Sequence, residues 1–170
     1  ELVSHNPFSA VSIDPAPSRT ISWTHDNLHS FINTSDAQDI SSLGTLALMA
    51  YDLCQRPVDC RLMTWSSYND GLFQFSQRLD AISSNRDPNS AIILYEGTNA
   101  PYSERLYRKK AQHIRSMAGL PDDLKIGDLR RTGATELGEA NCTEDEIRAI
   151  TGHKSRQVVS TYVKTSLRMA

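Results

Sequence analysis

The chain has 170 residues, 39% of them apolar and 22% charged, with a net charge of −2. That length suits one domain with a real core, or one domain plus a short arm, and the composition excludes a disordered chain. No apolar run reaches membrane length and nothing at the start reads as a signal peptide. The cysteines Cys54, Cys60 and Cys142 are odd in number and lack a metal-ligand spacing, which favours reduced thiols and a cytoplasmic setting.

Residues 1–23 read as an N-terminal arm or linker, because Pro7, Pro15 and Pro17 oppose regular structure. Thr24 can cap a first helix with Leu28, Phe31 and Ile32 on its apolar stripe. His25 and His29 sit one turn apart there. Without an evident third ligand they read as surface residues, and no metal site is predicted. A second helix is predicted from Ser41 to Leu53, with Leu43, Leu46, Ala47, Ala50 and Leu53 in the core. Pro57 suits the first turn of a third helix and leaves Arg56 at its start. Asp59 could pair with that arginine.

Trp65–Tyr68 and Leu72–Phe75 read as two strands around Asn69-Asp70-Gly71, a hairpin signal. Arg78–Ile82 reads as helix. Ala91–Tyr95 is a short buried run, strand or extended, ended by Glu96-Gly97. Ser103 can cap a long helix to about Ala118, with Leu106, Tyr107, Ala111, Ile114 and Met117 facing inward. Arg105, Arg108, Lys109, Lys110 and Arg115 occupy its other surfaces. They are either solvated charge or contacts to a phosphate backbone. Gly119-Leu120-Pro121 ends this helix.

The stretch from Asp128 to Tyr162 organises the rest. Asp128 can cap a helix toward Ala140, and Asn141 suits its end. Thr143-Glu144-Asp145-Glu146 fits a capping box for a helix carrying Ile147 and Ile150, stopped by Gly152. Ser155 can cap one more, carrying Val158, Val159, Tyr162 and Val163. Arg130 therefore lies near a helix start, His153 in a tight turn, and Tyr162 on a short helix. Singly, these are ordinary surface and turn residues. Together, such termini can bring polar groups to one point, as a phosphate site requires.

Charge is unevenly spread. Residues 1–50 hold one basic and five acidic residues, whereas residues 101–170 hold 13 basic and 9 acidic. A polyanion-binding face would lie in the C-terminal half. No internal repeat, Walker-type glycine loop, Cys/His cluster or Gly-x-Ser-x-Gly occurs, so nucleotide-loop, zinc and serine-esterase chemistry lack support.

Arg130-Arg131, Thr151-Gly152-His153 and Tyr162, nine positions after the histidine, resemble the C-terminal boxes of the tyrosine recombinases, the phage-integrase family. Their pattern is His/Lys-x-x-Arg, then Leu/Thr-Gly-His, then the tyrosine. One position departs, because the first His/Lys is Gly127 here. The family's earlier box, Thr-Gly-x-Arg-x-x-Glu/Asp, is matched by Arg56 and Asp59, with Leu53-Cys54 in place of Thr-Gly.

The resemblance implies a mainly α fold with a small antiparallel β-sheet (α+β), a catalytic domain over 24–170, and no N-terminal DNA-clamping domain. It implies a site-specific DNA recombinase of integrase type, acting in integration or excision of a mobile element, bacterial or phage-encoded. Tyr162 would form a 3′-phosphotyrosine link. Arg56 and Arg130 would clamp the phosphate, with His153 as supporting donor and no cofactor or metal. Double-stranded recombination sites would be the partner, bound by a homo-tetramer; the isolated fragment could be a monomer. Arg105, Arg108, Lys109, Arg131 and Lys154 are the DNA-contact candidates, Arg131 the more structural of them.

The family also carries a lysine on a hairpin after these strands, but no lysine occurs between Phe73 and Arg108. Either the protein lacks it, or a hairpin is missing from this sequence between Gln77 and Arg78. The second is preferred, because two strands need a third for independent stability. Two alternatives stay open: a type IB topoisomerase-like or hairpin-forming resolvase activity, and a catalytically impaired DNA-binding regulator.

Overall fold

A computed structural model describes residues 19–68, 87–155 and 157–160. The predicted strand Leu72–Phe75, the helix Arg78–Ile82, the Gln77/Arg78 junction, and Tyr162 with Val163 lie outside the described residues. So do residues 1–18.

The described elements are α1 (His25–Ala37), α2 (Ser41–Asp52), α3 (Pro57–Leu62), β1 (Leu94–Tyr95), β2 (Ala100–Pro101), α4 (Glu104–Met117), α5 (Ile126–Glu139) and α6 (Glu144–Thr151). Residues 157–160 are again helical. This is the mainly helical fold with a small antiparallel sheet that the resemblance implies.

α2 is the central pillar. Its sequence carries no charge before Asp52, and every residue from Ser42 to Ala50 is buried. A helix apolar all round has to be covered all round. α1, α3, α4 and α5 all touch it. Phe31, Leu43, Leu46, Met49 and Ile93 are fully enclosed. Burying each such side chain contributes about 1.5–3 kcal/mol. Leu53, predicted in this core, is only half-buried, because α2 ends one residue earlier.

Ile40 leaves α2 without a side-chain cap of its own. Glu96 supplies one from the sheet: its carboxylate accepts Ser42 N at 2.6 Å and Ser42 Oγ at 2.9 Å. A negative charge at a helix N-terminus satisfies free N–H groups and complements the dipole. In the sheet, Leu94 faces Pro101 and Tyr95 faces Ala100.

The Trp65–Tyr68 strand is corrected. Trp65–Ser67 is a 3-10 turn. The backbone there pairs with residues 88–92 instead: Thr64 bridges Ala91, and Trp65 N donates to Ser90 O at 3.1 Å. Met117 is corrected too. It is 49% exposed, because the inward face of α4 is carried by Ile114, with Leu106, Tyr107 and Ala111 half-buried against the core.

Residues 19–23 lie against the start of α5. Trp23 N donates to Thr132 Oγ1 at 3.0 Å and its indole N–H to Lys125 O at 2.9 Å. Arg19 pairs with Asp128 at 2.9 Å. Asp128 is not the residue that starts α5. The helix begins at Ile126, and Asp128 reaches back from its first turn to accept Lys125 N at 3.0 Å.

Candidate active site

α5 and α6 pack side by side and meet the turn between α2 and α3. A small second core joins them, built from Cys54 of the turn, Ala134 of α5, Ile147 of α6 and Val159 of the following helical residues. All four are buried, so the turn and the three helical segments are fixed to one another. Thr24, Ser103 and Thr143 cap their helices as the sequence predicts. Thr143 and Glu146 exchange hydrogen bonds across the first turn of α6. Gly152 ends α6 with φ 69°, a left-handed conformation that glycine adopts at no steric cost.

That ending points His153 back at α5. Arg130 is 8% exposed and donates through Nη2 to Thr151 O at 2.7 Å and to His153 Nε2 at 3.0 Å. His153 Nδ1 lies 2.7 Å from Thr151 Oγ1, and that hydroxyl donates to Ile147 O at 2.7 Å. With the hydroxyl proton given to Ile147, Nδ1 carries the imidazole proton and Nε2 accepts from the guanidinium. The imidazole pKa is lowered below its ordinary value by burial, then by the positive charges of Arg130 and Arg56. Arg56 thus stands close enough for its charge to be felt at the ring.

Arg56 reaches this place through an unusual turn. Cys54, where the family pattern has glycine, takes φ 48° although it carries a side chain. An L-residue there costs about 1–2 kcal/mol. Gln55 ties the same turn to α6, its side-chain amide donating to Ile150 O at 2.7 Å. Arg56 is the N-cap of α3, and Pro57 follows in the first turn. Its guanidinium is exposed and has no hydrogen bond or ion pair among the described residues, so the alternative of an arginine merely paired with Asp59 does not hold.

The structure brings Arg130 and His153 into contact, and Arg56 follows the Cys54 turn that packs against α5 and α6. Tyr162 lies outside the described residues; Val159, three positions earlier, is buried beside this site. Lys154 is exposed and Arg131 half-buried. Arg105, Arg108 and Lys109 are exposed on α4, Arg108 paired with Glu104 at 2.5 Å. His25 and His29 are exposed as read, and His25 lies 3.2 Å from Glu136, whose carboxylate also accepts from Tyr51.

A groove of about 620 Å³ lies between α3, α4 and the start of α5, with Pro57, Val58, Arg61, Arg108, Lys125 and Gly127 among its lining and none of Arg56, Arg130 and His153. Gly127 faces open space, with nothing within 4 Å of where a Cβ would stand. No cluster of three metal-ligating side chains occurs among the described residues.

Three features were not read from the sequence: the left-handed Cys54, the Thr151 hydroxyl that sets the His153 tautomer, and the Gln55 tie to α6. Thr151, within Thr-Gly-His, and Cys54, at the glycine of the family pattern, carried signals that could have been used; Gln55 carried none.

The sequence pattern described as the Phage integrase family matches residues 71–168. That segment includes Arg130, His153 and Tyr162 but not Arg56. No curated protein sequence matches the chain. A crystal structure of XerA recombinase is similar, with a TM-score of 0.70 and 14% identity over 91% of this chain and 64% of that one. At this identity the likeness is one of fold, and the chain spans 64% of the length of that structure.

Proposed function

We infer that this chain, which belongs to the phage integrase family, is the catalytic domain of a site-specific DNA recombinase that cuts and rejoins strands through Tyr162. The observation that carries this reading is the contact of Arg130 on α5 with His153 in the turn after α6, with Arg56 starting α3 two residues after Cys54, which packs in the same small core as α5 and α6.

A phosphodiester is anionic, and attack on phosphorus places further charge on its non-bridging oxygens. Two guanidiniums can hold those oxygens while remaining protonated at any working pH. A phosphate between Arg56 and Arg130 would offset the two charges that hold His153 neutral. The imidazole could then take up a proton and donate from Nε2. The Tyr162 oxygen attacks phosphorus, its phenolic proton passes to solvent, and the bond from phosphorus to the 5′-oxygen breaks. The products are a 3′-phosphotyrosine and a 5′-hydroxyl. Attack by a 5′-hydroxyl reverses the step. The phosphotyrosine conserves the bond energy, so ligation needs no nucleotide.

The departing 5′-oxygen needs a proton. The resemblance assigns this to a lysine on a hairpin, for which the segment around Gln77 and Arg78 is the place. Four protomers on two duplex sites, recombining a mobile element, is the assembly that fits this chemistry. Glycine at 127, where the family pattern has His/Lys, favours a second reading, a DNA-binding protein with impaired cleavage.

One experiment separates them. On suicide substrates built from the DNA junctions of its own element, the wild type accumulates a covalent protein–DNA adduct. Tyr162→Phe binds the same DNA and forms none. Equal trapping by the phenylalanine variant rules out this nucleophile, and binding without any adduct by the wild type favours the second reading.

A further inference from the structure

The groove between α3, α4 and the start of α5 holds a buried charge that no carboxylate among the described residues answers. Arg61 lines it and is only 8% exposed. Its Nη1 donates to Tyr102 O at 2.9 Å. Its Nε is enclosed without a hydrogen-bond partner. Its Nη2 is not enclosed and donates to nothing among the described residues. An arginine keeps its charge at any working pH, and a buried charge left unpaired is costly to the fold.

The other charges of the groove leave a cationic remainder. Glu104 pairs with Arg108, and Asp122 pairs with Arg115. Lys125 is exposed and forms no ion pair among the described residues. It stands where α5 begins, and Ile126 and Gly127 of the first turn line the groove beside it. The N–H groups of a first helical turn have no partner inside the helix and carry partial positive charge. Asp128, the carboxylate of that turn, is held by Arg19 and is not part of the lining.

The walls also supply apolar surface. Val58 of α3 is exposed, and Tyr107 and Ala111 of α4 are half-buried. The groove measures about 620 Å³, within the range of about 300–1,000 Å³ usual for small-molecule sites. A DNA duplex is too wide to enter it, and duplex phosphates meet cations on exposed faces. Arg61 is met only by a slim group that goes into the groove.

We propose that this groove binds a small organic anion, a carboxylate or phosphate carried on an apolar body, with Arg61 and Lys125 as its charge partners. The site is separate from Arg130 and His153, which do not line the groove. It stands whether or not Tyr162 cuts DNA.

Phenyl phosphate and benzoate are the probes. Inorganic phosphate and benzamide are the controls, carrying the anion alone and the ring alone. Binding is followed by NMR at the Trp23 indole N–H, which donates to Lys125 O at the groove wall. The His153 imidazole is followed as a monitor of the candidate active site. At least one probe should shift the Trp23 signal saturably, about tenfold more tightly than either control. Arg61→Met should weaken that probe by about tenfold and keep or raise the melting temperature, because an apolar chain replaces an unpaired buried charge. Lys125→Gln should weaken it a few-fold.

No saturable shift with either probe overturns the proposal. So do controls that bind as tightly as the probes, a shift confined to His153, or unchanged affinity in Arg61→Met. If Arg61→Met melts lower or does not fold, Lys125→Gln, at an exposed position, decides alone. Duplex DNA that shifts Trp23 in the wild type but not in Arg61→Met would make the groove a DNA contact and sink the proposal.

Discussion

At the scale of single residues, His153 is the most constrained group of the site. Its Nε2 is occupied by Arg130 and its Nδ1 proton by Thr151. Burial and the two guanidiniums lower its pKa from the ordinary 6.5. The unfolded chain therefore takes up a proton at this residue before the folded one does. Above the ordinary value both states are neutral and nothing is lost. As pH falls through it, the unfolded state gains protons first, and stability declines until the folded pKa is passed. Melting curves between about pH 8 and about pH 5 should show this decline in the wild type and a shallower one in His153→Gln. Identical slopes would mean the imidazole is not held as described.

At the scale of elements, α6 shows how a short helix can position chemistry. Its eight residues are too few to persist alone, since isolated helices need about 12–15 residues. It stands because Ile147 and Thr151 are buried and because Thr143 and Glu146 satisfy its free N–H groups. The hydrogen bonds from Thr143 also lower the Glu146 pKa. Thr143→Ala should cost about 1 kcal/mol, read as a lower melting temperature. The same loosening should weaken the Thr151–His153–Arg130 network, which hangs on the last turn. An unchanged melting temperature would place the stability of α6 in packing alone.

At the scale of the whole molecule, charge and core occupy different parts of the chain. α2 carries the core and almost no charge, while α4 carries basic residues on its exposed surfaces. Arg108 pairs with Glu104, Arg115 pairs with Asp122, and Lys110 stands over the Tyr95 ring at 5.2 Å. Arg105 and Lys109, one turn apart and exposed, have no ion pair among the described residues. They are the cations of α4 best placed to meet a phosphate backbone. Replacing both with glutamine should weaken DNA binding equally across sequences. It should also reduce the slope of log affinity against log salt by about 0.9 for each phosphate no longer neutralised. An unchanged slope would return both residues to plain solvated surface.

The elements with their own stop and start signals were legible in the residues alone. Thr24, Ser103 and Thr143 cap helices, Pro57 opens one, and Gly119 and Gly152 close two, because each effect acts within one turn of backbone. The apolar repeat of α2 likewise announced a buried helix. The order Arg130, Thr151-Gly152-His153, Tyr162 was legible through its resemblance to the boxes of the phage-integrase family. Tertiary structure decided the rest. Trp65–Ser67 became a turn because its backbone found partners at residues 88–92, far along the chain. Asp128 became a first-turn acceptor because Arg19 and Lys125 N converge on it. The close approach of Tyr51 and Cys54 to Gly133 brings the end of α2 and its turn against α5. No local pattern encodes that approach, because it exists only once the core has closed.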